Sequence, residues 1–157
     1  MNRMKKILVL GLLCFAPFIS AHTVSFSNGP QKSSVALELE DIQSLPETTY
    51  TTELPWSKGE SEFTGVKLSD LLTYVYGDIP AQIDISGLNN YHATVTRPDI
   101  VRYEPILAYQ KDKHYIKIRD KGPYWVVYPL NLYPELNRSA YHAQMVWQVN
   151  EIKLIKK

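Results

Sequence analysis

Cysteine is nearly missing from this chain: one of its 157 residues is Cys, at position 14. It falls in a leader segment discussed below, so the chain that follows has neither disulfides nor a thiolate for catalysis or metal binding. Glycine is also sparse, at seven residues. No Gly-rich phosphate loop, no His-Glu-x-x-His helix and no serine nucleophile elbow is present. The four His, at 22, 92, 114 and 142, show no metal-ligand spacing. An excess of charge of one sign is missing too, with 17 basic residues against 16 acidic ones. A near-neutral chain has no electrostatic footprint for nucleic acid and no basic patch for anionic lipid. Phenylalanine is scarce, four residues against eleven Tyr and three Trp. Tyr and Trp join a large apolar face to a hydrogen-bonding tip, which suits a ligand slot and suits an all-β core equally.

The first residues read as a secretion signal. Arg3, Lys5 and Lys6 make a basic start, Ile7 to Ile19 is apolar, and Ser20-Ala21 offers small residues before His22. The apolar run is shorter than the ~20 residues that span a bilayer, and Pro17 interrupts it. Residues 1–21 are therefore expected to be a signal peptide and 22–157 one periplasmic domain. That domain carries 14 basic and 16 acidic residues, a formal charge of −2. His22 would open it, where an amino group beside an imidazole can bind copper; the alternative is an ordinary terminus.

Ten Pro punctuate short elements. Alternation over Val35–Glu40, Thr48–Leu54 and Gln82–Ser86 predicts strands. Gly87-Leu88-Asn89-Asn90 is a turn that returns through Tyr91–Thr96. Ser69–Gly77 is the best helix, with Ser69 as its cap, Asp70 in the first turn and Gly77 at its end. Pro98–Tyr103 suggests one helical turn. Leu107–Gln110 and His114–Ile118 flank Lys111-Asp112-Lys113 as a hairpin, Tyr124–Tyr128 is an apolar strand, and Val146–Ile155 closes the domain. Many short strands with few short helices predict an α+β fold with mixed or mainly antiparallel sheets.

Two segments concentrate chemistry. In Ile118–Pro129 three charges, Arg119, Asp120 and Lys121, precede Gly122-Pro123 and the aromatic run Tyr124-Trp125. Arg119 suits stacking and bidentate hydrogen bonding, Asp120 suits a ring N–H, and Gly122 permits close approach of backbone to a ligand. The same pattern also describes an exposed charged turn before a core strand. In Pro55–Glu60, Trp56 sits on a Pro/Gly loop, either as a stacking face or lid or folded onto the core.

These segments carry a resemblance. Trp56-Ser57-Lys58-Gly59-Glu60 with Phe63-Thr64-Gly65-Val66-Lys67-Leu68-Ser69-Asp70-Leu71-Leu72, then Pro105–Tyr109, Arg119–Pro129 and Met145–Ile152, resemble in order four motifs of the sulfite-oxidase and molybdopterin-binding family. The resemblance implies that family's α+β fold over about residues 50–155. The family holds molybdenum through a cysteine ahead of the Trp loop, which this mature chain lacks, so no molybdenum is expected. In this it is similar to the small periplasmic pterin-binding proteins of the PruR type. That likeness implies a reduced pterin of the tetrahydropterin class as ligand, and no catalytic residues. It also implies a partner, the periplasmic part of a membrane-bound diguanylate cyclase or phosphodiesterase, and so a role in cyclic-di-GMP signalling and biofilm regulation. Trp56, Tyr124 and Trp125 would stack on the ring, while Glu60, Arg119, Asp120 and Lys121 would read its edge and Gly122 would let backbone approach. Trp147, in the last strand, is assigned to the core, with lining of the pocket as the alternative. Arg138 lies where the family meets a cofactor phosphate, but Ser139-Ala140-Tyr141-His142 replaces the Gly-rich pattern, which favours a simple pterin. A molybdopterin oxidoreductase and a ligand-free adaptor on the same fold are the alternatives.

Overall fold

The computed structural model describes residues 22–28 and 31–155, without the side chains of 31–33; the proposed signal segment lies outside the described residues. Two five-stranded sheets share one contiguous hydrophobic core. In the first, β1 (Val24–Asn28), β2 (Gln31–Leu37), β5 (Gln82–Gly87), β6 (His92–Thr96) and β10 (Val149–Leu154) run in the order β2-β1-β10-β5-β6. Its pairings are antiparallel except β1 with β10. The second contains β3 (Glu47–Glu53), β4 (Glu60–Lys67), β7 (Ile106–Lys111), β8 (His114–Tyr115) and β9 (Trp125–Val127). Here β7 is central and pairs antiparallel with β4, β8 and β9. Four helices connect these strands: α1 (Leu39–Gln43), α2 (Leu68–Tyr76), α3 (Arg97–Tyr103) and α4 (Ser139–His142).

Period-two burial gives each sheet an inner face. In β5, Ile83 and Ile85 are buried while Gln82, Asp84 and Ser86 are partly exposed. By contrast, Ile106 to Tyr109 of β7 are all buried, as expected of a central strand covered on both faces. The Asp112-Lys113 hairpin has positive φ at both residues, 49° and 64°, the backbone of a tight two-residue turn that matches strand twist.

The structure moves some predicted boundaries. The strand expected through Glu40 ends at Leu37. Glu38 then opens α1 through a capping box, its N–H donating to Asp41 Oδ2 at 2.9 Å, and this local satisfaction of orphan donors overrides the alternation. Helix α2 ends at Gly77, φ 80°, as expected, but Ser69 does not cap it. It begins at Leu68, which is fully buried and donates its N–H to the Pro105 carbonyl at 2.9 Å. Ser69 lies in the first turn, its carbonyl accepting from Thr73 Oγ1. The single turn expected at Pro98 is the seven-residue α3. Among the described residues no helix is long and apolar enough to cross a membrane.

Candidate ligand site: three indoles around a lysine

The β3–β4 hairpin carries Trp56 at its tip. Leu54, 1% exposed, anchors the loop. Ser57 closes it by accepting from the Leu54 N–H and donating to the Leu54 carbonyl, and Glu53 Oε1 accepts from the Gly59 N–H. Trp56 is left 44% exposed, so its outer face is available for stacking.

Behind it, the segment before β10 lies against the segment before β9. Gln148 donates its N–H to the Lys121 carbonyl at 3.0 Å and its Nε2 to the Ile118 carbonyl at 2.8 Å. Val126 N–H donates to the Val146 carbonyl and Val149 N–H to the Tyr124 carbonyl. Trp125 and Trp147 thereby form an isolated antiparallel bridge, and Trp125 Nε1 donates to the Met145 carbonyl at 3.2 Å.

All three Trp of the chain meet here. Trp56 lies 5.6 Å from Trp147, nearly perpendicular to it, and 6.4 Å from Trp125; Trp125 and Trp147 are 6.4 Å apart. Edge contacts extend the cluster to His142 and Phe63. Lys121 Nζ stands 4.5 Å from the Trp147 centroid, 4.9 Å from Trp125 and 5.2 Å from Trp56. Burial, reinforced by Lys111, holds its ammonium below the usual lysine range. The indole faces counter this by attracting the cation. An apolar cleft of about 290 Å³ adjoins the cluster, lined by Trp56, Trp147, His142, Met145, Tyr91, Asn89, Ser139 and Ala143.

The structure thus brings together Trp56, Lys121 and Trp125 of the expected site residues. Glu60 faces a different cleft and accepts from Asn131 Nδ2. Arg119 and Asp120 stand on an exposed turn and pair with each other at 3.6 Å. Gly122 makes a close approach, but to its own chain: a Cβ there would lie 1.9 Å from the Ile116 carbonyl oxygen. Tyr124 is fully buried and donates to the His22 carbonyl at 2.6 Å, away from the indole cluster. Strand alternation is the reason, since Tyr124 and Trp125 face opposite sides.

Two residues outside the expected site set join the cluster. Trp147, assigned to the core with pocket lining as its alternative, is only half buried and completes the cluster. His142 ends α4, where its Nε2 lies 2.9 Å from Asn137 Oδ1 and its ring meets Trp56. A third tryptophan beside the family-like closing strand was the available signal. Arg138 stands over the ring of Tyr141. Tyr74 is exposed. Tyr76 donates to the Ser27 and Ile152 carbonyls, and Tyr133 packs on Tyr103. Among the described residues no three His, Cys, Asp or Glu group together as metal ligands.

No family model matches the chain, and no curated protein matches it. Among solved structures it is similar to the sulfane dehydrogenase SoxCD from Paracoccus pantotrophus, with 15% sequence identity and a TM-score of 0.63 over 87% of this chain. The fold is of the sulfite-oxidase type. Two sheets, one mixed and one antiparallel, with few short helices agree with the expected α+β architecture. The match spans 38% of the neighbour's chain.

Proposed function

We propose that this chain is a non-catalytic, periplasmic pterin-binding protein that reports its ligand to a membrane-bound cyclic-di-GMP signalling enzyme. The observation that carries ring binding is the cleft walled by Trp56 and Trp147. Small-molecule sites begin at roughly 300 Å³ and combine apolar walls with a few polar groups. A cleft of about 290 Å³ beside three indoles and one ammonium suits a bicyclic ring better than a bulky dinucleotide. Asn89 and His142 add polar groups at its wall. Residues 22–157 contain no cysteine, so they cannot supply the thiolate by which the resembled family holds molybdenum. The ring-binding part does not depend on it. Signalling requires a ligand that favours one conformation or partner-bound state, and the Trp56 hairpin tip is the element a stacked ring would reposition.

The test is an anaerobic titration of the mature, metal-analysed protein with a reduced pterin, followed by Trp fluorescence and calorimetry. Saturable binding without molybdenum is expected, weakened by Trp56→Ala and unchanged by Arg119→Ala at the exposed turn. Absence of pterin binding overturns the reading; stoichiometric molybdenum would then favour an oxidoreductase, and neither ligand nor metal an adaptor. The signalling role predicts altered cellular cyclic-di-GMP when the chain is removed, and an unchanged level would eliminate it.

A further inference from the structure

Lys121 occupies a place that aromatic cages elsewhere reserve for a ligand cation. Its ammonium is within 5.2 Å of three indole centroids, and among the described residues no carboxylate pairs with it. The carboxylate next in sequence, Asp120, turns to Arg119 instead. A second ammonium, Lys111, stands 5.9 Å over the ring of Phe63, which packs edge-on against Trp125. The aromatic cluster therefore carries two cations. The backbone of Lys121 is held at φ 76° beside the Gln148 bonds, with its stem directed into the cage, and among the described residues no protein oxygen accepts from its ammonium. Trp56 and Trp147 belong both to this cage and to the adjoining cleft.

We infer that Lys121 is the specificity-determining residue of the site: its ammonium fills the indole cage, bars cationic ligands, and donates to a carbonyl or anionic acceptor on the edge of a planar ring bound in the cleft. The inference rests on the ring-binding reading above and adds the charge class of the ligand. A neutral or anionic lactam-type heterocycle is accepted, whereas a quaternary ammonium or a ring cation meets a cage already filled with like charge. Losing the acceptor leaves a half-desolvated ammonium unsatisfied, which penalises rings without one.

The experiment uses the mature protein and two probes, tetramethylammonium chloride and 6,7-dimethyltetrahydropterin under anaerobic conditions. Indole fluorescence and indole N–H NMR shifts report on the cage alone, because the three Trp of the chain are all in it. Wild type is expected not to respond to millimolar tetramethylammonium, while Lys121→Ala gains a saturable response. The same variant is expected to bind the pterin ~10–100-fold more weakly, the range for a hydrogen bond from a charged group. Lys121→Met, which keeps the apolar stem, should show the same loss of pterin affinity and serves if the alanine variant unfolds. Undiminished pterin binding by both variants overturns Lys121 as the ring's donor. Tetramethylammonium binding to wild type, or none to Lys121→Ala, overturns it as the cage's cation. If wild type binds no pterin, the ring-binding reading fails with the acceptor half of this inference, and the tetramethylammonium arm still decides the cage.

Discussion

The Trp56 loop has a cleft on either side, and the two are built from opposite materials. One, about 290 Å³, is walled by Trp56, Tyr91, His142, Met145 and Trp147. The other, about 640 Å³, is lined by Glu53, Ser57, Glu60, Asn131 and Asn137 together with Leu54, Pro55, Leu130 and Pro134. The larger one is the less suited to a planar ring, because its polar groups are already engaged in holding the loop. Glu53 accepts from Gly59, Glu60 from Asn131, and Ser57 closes onto Leu54. The smaller cleft offers apolar faces whose desolvation favours stacking. Size marks where the loop is hinged to the rest, and ring chemistry marks where it meets a ligand. His142 and Asn137, hydrogen-bonded to each other, connect the two sides.

The most severe way to break the aromatic side without touching the polar one is Gly122→Ala. A Cβ at 1.9 Å from the Ile116 carbonyl oxygen forces backbone movement next to Lys121. A loss of about 3 kcal/mol is expected, read as a lower urea midpoint; an unchanged midpoint would mean that the turn relaxes freely and does not fix Lys121. Trp125→Ala, at a site 4% exposed, is expected to cost about 3 kcal/mol of stability. Trp147→Ala is the sharper probe of the cleft. Calorimetry should show reduced-pterin affinity falling by about 1–3 kcal/mol, the range for stacking a heterocyclic base on an aromatic side chain.

Alkaline pH tests the framework that both clefts share. Burial, then Glu104, raises Tyr50 to about 12, and burial, then Glu151, raises Tyr76 to about 12. Tyr109, Tyr124 and Tyr128 are raised as well, chiefly by burial. A phenol whose folded pKa exceeds its unfolded value near 10 stabilises the fold fully below pH 10. That contribution declines as pH rises toward 12. Far-ultraviolet circular dichroism should therefore show denaturant midpoints falling from pH 10 upward, with these tyrosinates appearing at 295 nm as the fold is lost. Midpoints that stay level to pH 12 would contradict it. The smallest effect is expected from Glu60→Gln, within about 0.5 kcal/mol in stability and with pterin affinity unchanged. A large loss of affinity there would transfer the ligand to the polar cleft.

Legibility in the sequence followed the range of the interactions. The Gly77 stop, the Asp112-Lys113 turn and the β5–β6 return depend on neighbours a few residues apart, and all were readable. The segments of Trp56, Lys121 and Trp125 were singled out through the resemblance, and the structure brings these three side chains together. Capping at Glu38 was equally local, but it was hidden beneath an alternation that continued past it. Arg119, Asp120 and Lys121 are consecutive and chemically alike as candidates, yet two face solvent and one enters the cage. The turn at Ile118–Asp120, followed by positive φ at Lys121, separates them.

By itself the sequence determined what residues 22–157 do not contain: no thiolate, no phosphate loop, no surplus of basic charge for nucleic acid. It also determined the α+β make-up, because turn residues and period-two runs act through local backbone geometry. The tertiary structure alone decided which aromatic rings share a site. Trp56, Trp125 and Trp147 come from three separated segments, joined by the β3–β4 hairpin and by the bonds of Gln148 to Lys121 and Ile118. Side-chain type sets what a ring can do, but strand register and a few long-range backbone hydrogen bonds set which rings meet, and these are fixed only once both sheets close on their common core.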